Sequence, residues 1–257
     1  MTILVAVVLG AVIGILLGLL GGGGSILAVP ALVYGLDIPL GQAVPMSLIV
    51  VGIAALFGAI PKVRAGQVQW RVAGVFAAAG LPAAFAGSAV NRLLPSALTL
   101  AGFAIVMIVA GVRMLSKSEA VGTACRVEGS TVNWRRCTSR AVPAGLGVGF
   151  LTGLFGVGGG FLIIPALVLL LGIEMTVAVG TSLVIVTANS GSGLLAYLGN
   201  LDLDWVLVAV FTATAIGGSV IAGHFGKKAD TRRLQTWFAY LIFAVAAFVL
   251  VEVIFLR

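Results

Sequence analysis

The sequence predicts an all-α integral membrane protein built from two homologous halves arranged as inverted repeats. In each half a glycine-broken helix and a short proline-containing helix precede three transmembrane helices, about 8 to 10 membrane helices in all. Three observations lead there: a composition too apolar for water, an internal repeat at one fixed offset, and loop charges that swap sides between the halves.

Of 257 residues, 61% are hydrophobic and 9% charged, against roughly 25% charged in soluble domains. Such a chain dissolves in lipid, where backbone groups must be satisfied within helices or a closed barrel. Barrel strands alternate apolar and polar residues. Residues 3–20, 98–112, 203–222 and 237–256 are instead apolar at nearly every position, as membrane helices of about 20 residues require. Thirty-six glycines suit close helix contact in a membrane. The net charge of +7 comes from basic clusters between apolar runs, the pattern of cytoplasmic loops, so no nucleic-acid partner is expected. The N-terminus lacks a basic leader region and a small-residue cleavage site, so residues 1–20 are taken as a mature helix. Cys125 and Cys137 share one polar loop without a histidine, so neither a metal site nor any cofactor is expected.

Residues 19–32, LLGGGGSILAVPAL, and 154–167, LFGVGGGFLIIPAL, match at a constant offset of 135. Gly21, Gly23, Gly24, Leu27, Pro30, Ala31 and Leu32 correspond to Gly156, Gly158, Gly159, Leu162, Pro165, Ala166 and Leu167. The register continues through Ala43-Val44 and Ala178-Val179, Ser47-Leu48 and Ser182-Leu183, to Trp70 and Trp205. A glycine patch can match by chance; a register held from glycines through a serine to a tryptophan marks a duplication. The repeat divides the chain into a first membrane repeat over 1–115, a linker over 116–140 and a second membrane repeat over 141–257. Helices are expected near 3–20, 25–36, 42–60, 71–90 and 96–115, with counterparts near 141–155, 160–172, 176–198, 204–225 and 234–256.

The loop charges give orientation. Lys62, Arg64 and Arg71 flank one first-half loop, where the second half has Asp202 and Asp204. The next loop reverses the contrast, with Arg92 alone against Lys227, Lys228, Arg232 and Arg233. Lys and Arg mark the cytoplasmic side. Loop 61–71, the linker and loop 226–234 are therefore placed inside, and both termini outside. Matching loops on opposite sides require an odd number of crossings per half, hence an inverted repeat. Either the short glycine–proline pieces cross, or they re-enter. Twelve helical residues rise only about 18 Å against a core of about 30 Å, which favours re-entry.

The candidate site lies at the glycine runs, Gly21, Gly22, Gly23, Gly24 and Ser25 in one half and Gly156, Gly158, Gly159 and Gly160 in the other. Glycine lets the chain turn without a side-chain clash, and N–H groups at a new helix start form an anion site. Paired interruptions at matching places point to a transport site; the plainer reading is close helix packing. Pro30 and Pro165 fall within the short pieces, as hinges or as simple kinks. Ser47 and its equivalent Ser182, with Thr181 and Asn189, are neutral donors that can hold an oxyanion or serve as interhelical glue. Lys62, Arg64 and Arg113 are expected at helix ends, extending their charges to the interface. His224 is read as a loop residue, and an intramembrane hydrolase is disfavoured by the lack of a nucleophile elbow.

The doubled motif, here LGGGGSILAVPAL and FGVGGGFLIIPAL, together with the following A-V-x-x-S-L and the tryptophan, resembles the TauE/SafE family of bacterial membrane proteins over essentially the whole chain. The resemblance implies a secondary transporter of the bacterial inner membrane that exports a small sulfur oxyanion such as sulfite, thiosulfate or an organosulfonate. The residues alone reach only a small anion, and an anion channel or a permease for another anion remains open. The expected partners are that anion and the lipid bilayer; the oligomeric state, a homo-oligomer included, is open.

Overall fold

A computed structural model describes residues 2–91, 93–115, 134–155, 160–195, 203–225 and 231–255. Among these residues ten helices run in order: α1 (Thr2–Leu20), α2 (Ser25–Leu36), α3 (Leu40–Arg64), α4 (Trp70–Asn91), α5 (Ser96–Leu115), α6 (Trp134–Phe155), α7 (Gly160–Pro165), α8 (Met175–Leu195), α9 (Trp205–Phe225) and α10 (Thr231–Phe255). The described residues contain no strand. By length and composition, α1, α3, α4, α8 and α9 can each cross a membrane. The long helices match the sequence expectation to within a few residues. The exception is α6, which starts at Trp134 inside the linker, where Arg71 stacks on the Trp134 ring at 4.8 Å and favours an ordered start.

The 135-residue repeat reappears in the hydrogen bonds. Ile38 N–H donates to Leu32 O and Ile173 N–H to Leu167 O; Ala43 to Pro39 O and Ala178 to Glu174 O; Ala73 to Gln69 O and Val208 to Asp204 O. Each short piece ends in a left-handed residue, Asp37 at φ 53° and Gly172 at φ 70°, as a helix C-terminus closing back on its last turn requires. The two pieces differ inside. Pro30 lies within a continuous α2, whereas after Pro165 the chain widens into a π turn over Ala166–Leu170. Proline removes an N–H and frees a carbonyl one turn back, and in the second half the helix widens directly beyond it.

Packing exchanges elements between halves. The first helix of each half lies on the fourth helix of the other, α1 on α9 and α6 on α4. Gly10, Gly14 and Gly18 of α1 lie against Phe211–Thr214, Ala215 and Ser219 of α9, so these helices run the same way. Gly145, Gly149 and Gly153 of α6 lie against Phe76, Gly80 and Ala84 of α4, likewise in the same direction. The two glycine triplets are equivalent at the 135 offset. A Cβ on Gly14 or Gly149 would collide with the facing backbone, so the absence of side chains sets how closely each pair approaches. At the centre, α3 packs against α8 in the opposite sense, Gly52 beside Ser190 and Gly58 beside Leu183. Ser219 Oγ joins α9 to α3 by donating to Ala54 O at 3.0 Å.

Cys137 is buried and disulfide-bonded; the only other cysteine of the chain, Cys125, lies outside the described residues. A linker placed in the cytoplasm by its basic residues would sit among reducing thiols, which argues from sequence against a structural disulfide. The bond corrects that expectation. The fold decides whether thiols can meet, and the compartment only decides whether a bond persists. A membrane-impermeant maleimide applied to intact cells after a permeant reductant should leave both cysteines unlabelled if the linker is cytoplasmic. Labelling from outside would place the linker, and its bond, on the outer face.

Candidate functional site

The first glycine run is a tight break rather than an open loop. Leu20 ends α1, Gly21 takes φ +61°, and Gly21–Gly24 close one 3-10 turn before Ser25 opens α2. That φ is strained for any residue with a Cβ. Gly24 packs back on Ile13 O and Leu17, and Gly35 on Leu9, so α2 folds back along α1 as a hairpin. No side chain caps the new turn, and Gly22 O accepts from both the hydroxyl (2.6 Å) and the N–H of Ser25.

This break meets the start of α7 in direct backbone contact. A Cβ on Gly22 would overlap the carbonyl and Cα of Gly160. A Cβ on Gly160 would sit 2.5 Å from Ser25 Oγ and 2.9 Å from Gly22 O. Gly21 faces the Ser182 hydroxyl and, 3.2 Å from its Cβ position, Val179 O on α8. Gly21, Gly22, Ser25, Gly160 and Ser182 are therefore brought together at a crossing of the two halves, with Gly23 in the same turn. Ser182 is fully buried and its Oγ donates to Val179 O at 2.9 Å. Ser47 repeats this in the first half, donating to Val44 O at 2.7 Å. Each hydroxyl spends its proton on its own helix and keeps its lone pairs.

Other candidates are placed elsewhere. Gly156, Gly158 and Gly159 lie outside the described residues. Thr181 is fully buried but turns away from the crossing, its Oγ1 accepting from Gln69 N–H at 3.1 Å. Asn189 is seven residues beyond Ser182 on α8, about 10 Å along the axis, with its Oδ1 buried and without a hydrogen-bond partner among the described residues. It is not part of the crossing. Gly24 serves the hairpin. His224 is exposed in the last turn of α9.

Lys62 overturns its expectation. Arg64 and Arg113 are exposed near their helix ends as expected, but Lys62 is 1% exposed. It does not reach out to the interface, because the loop 65–69 folds over it against α8. A Cβ on Gly180 would meet Gln67 O, and Lys62 Cβ at 3.1 Å. Gln67 and Gln69, unremarked in the sequence, each bury a side-chain oxygen that has no hydrogen-bond partner among the described residues. The signal available was the contrast between KVRAGQVQW and YLGNLDLDW at equivalent positions, which reads as loop charge until the loop is seen to fold inward.

The sulfite exporter TauE/SafE family model matches residues 6–249. The chain belongs to this family. A probable membrane transporter protein of Xylella fastidiosa strain Temecula1 is 33% identical over 256 residues, covering 97% of this chain and 95% of the relative. The probable membrane transporter YunE of Bacillus subtilis is 25% identical over 272 residues, covering 99% and 100%. A probable membrane transporter of Methanocaldococcus jannaschii is 30% identical over 198 residues, covering 75% and 71%. No solved structure matches the chain. This TauE/SafE member is thus a multi-pass membrane transporter and not an enzyme.

Proposed function

We propose that this TauE/SafE transporter exports a small sulfur oxyanion across the bacterial inner membrane by alternating access around the glycine crossing. The observation that carries the reading is the contact of Gly22 with Gly160, where the helix breaks of the two halves meet with Ser182 against Gly21. Backbone irregularity at membrane depth is tolerated where it is buried in protein or lines a cavity, and N–H groups at a new helical turn favour negative charge. A contact that depends on glycine at both partners can part and re-form as the halves rock. The helix directions support an inverted arrangement. The helix α3 runs opposite to its repeat equivalent α8, as inverted halves require. Sulfur specificity is carried by the family, whose model is described as a sulfite exporter. Export fits an inside-negative potential, which drives an anion outward by about 2.3 kcal/mol per charge per 100 mV.

The test is flux of sulfite, thiosulfate, sulfoacetate, acetate, phosphate and chloride through the purified protein in liposomes, with and without a pH gradient. Saturable, counterflow-competent flux of one sulfur oxyanion is expected. Fast unselective chloride flux would replace the transporter with a channel, and saturable acetate or phosphate flux would replace the substrate.

A further inference from the structure

We propose that Phe103 of α5 is a positioning residue for the glycine crossing, its ring clamping both described ends of the second glycine run and so holding Gly160 against Gly22. The inference rests on the reading that an anion occupies the crossing.

The two breaks are held in different ways. The first is closed from within, Ser25 Oγ donating to Gly22 O at 2.6 Å. At the offset of 135, Gly160 stands where Ser25 does, so the second half has no hydroxyl for that closure. Its support comes instead from the other half. Phe155 ends α6 and Phe161 is the second residue of α7, and both rings pack on Phe103. The centroids are 5.3 Å apart at 62° for Phe155 and 5.2 Å apart at 82° for Phe161, the edge-to-face arrangement that aromatic quadrupoles favour. Asn91, at the end of α4, donates from Nδ2 to Leu154 O and pins the residue next to Phe155. Phe103 and Phe161 are 3% and 1% exposed, and a close-packed interior keeps such rings in place. Gly160 adjoins Phe161, so its approach to Gly22 is set by where that ring is held.

The clamp is one-sided and has a firm base. Phe238 is the repeat equivalent of Phe103, but Leu20 and Ile26 stand where Phe155 and Phe161 do, so the first break offers it no ring on either side. Phe238 and Ile26 line, with Met107, Phe161 and Ile242, an apolar crevice too narrow for a water molecule. The helix that carries Phe103 is fixed along α10, where Gln235 Nε2 donates to Met114 O at 2.8 Å and Gly111 lies against the Phe243 ring. Loss of the Phe103 ring would free Phe155 and Phe161 to repack, and an anion binding at the crossing would then have to order Gly160 as well, which lowers affinity.

The experiment measures binding of 35S-thiosulfate, 35S-sulfite, 32P-phosphate and 14C-acetate to the full-length chain in detergent, with melting temperatures in parallel. The proteins are the wild type, Phe103→Leu, Phe161→Leu, the double variant and Phe76→Leu. Phe76, 2% exposed on the α4–α6 seam, controls for the loss of a buried ring. Phe103→Leu and Phe161→Leu should each raise Kd about tenfold. The double variant should go no further, because residues that act through one contact are not additive. Phe76→Leu should lower the melting temperature comparably and leave Kd within about twofold. An unchanged Kd in Phe103→Leu, an equal rise in Phe76→Leu, or a rise of about a hundredfold in the double variant would each overturn the clamp and leave the crossing standing. If Phe103→Leu does not fold, Phe155→Leu, a partly buried ring of the same clamp, takes its place and is read the same way. Binding of phosphate or acetate in place of a sulfur oxyanion would overturn the substrate reading alone, and the clamp is then judged on that ion. Binding of no probe by the wild type would overturn the occupied crossing and the clamp with it.

Discussion

Gly22→Val should abolish transport while leaving a protein that inserts and purifies. The position allows no Cβ, since the atoms it would meet are the carbonyl carbon, oxygen and Cα of Gly160, which are backbone and cannot rotate aside. The two helix breaks would be forced apart. Overpacking of this kind typically costs about 1–3 kcal/mol, which a multi-helix bundle with an apolar surface can absorb. The loss should therefore appear in function, with flux in liposomes falling at least about a hundredfold, equivalent to roughly 2.7 kcal/mol in the transport barrier. Gly191→Val is the matched control, because nothing lies within 4 Å of its Cβ position. Wild-type flux through Gly22→Val would show that the crossing is a packing contact and would move the site elsewhere.

Gly149→Val, on the α4–α6 seam, should cost stability. Its Cβ would strike Gly80 O, Cα and C, the latter two at 2.6 and 2.7 Å. Helices associate in a membrane through close van der Waals contact of small residues rather than through a hydrophobic drive, so a seam held open by one side chain loses contacts along its length. With overpacking near 3 kcal/mol, and about 2–4 °C per kcal/mol for chains of this size, a fall of roughly 6–12 °C in the detergent melting temperature follows. Gly147→Val, two residues away on the same helix and with nothing within 4 Å, should leave it unchanged. Equal melting temperatures for both variants would mean that the glycine stripe does not set the seam.

The glycine seams are legible in the sequence as stripes, but without their partners. Gly10, Gly14, Gly18 and Gly145, Gly149, Gly153 recur every four residues in both halves, a spacing that puts them on one helix face. Their count suggested close packing without naming partners, since a stripe shows that something approaches and not what. The glycine runs gave more, because breaks at matching positions predict a shared site. That Gly22 touches Gly160, and that Thr181 faces Gln69 while its neighbour Ser182 faces Gly21, depends on which way each residue of α8 points once α3 and the first hairpin close around it.

From the sequence alone came the membrane class, the duplication at 135 residues, the helix positions and the family. All of these rest on local quantities: hydropathy over about 20 residues, glycine and proline as breaks, and a register preserved along the chain. The tertiary structure alone decided that α1 pairs with α9 and α6 with α4, that the two breaks meet, that Cys137 is bonded, and that Lys62 is buried. A lysine near a helix end extends outward or folds inward according to what covers it, and the cover here is a loop docked on a helix from the other half of the chain. That choice is made by contacts between residues more than a hundred positions apart, where no local pattern reaches.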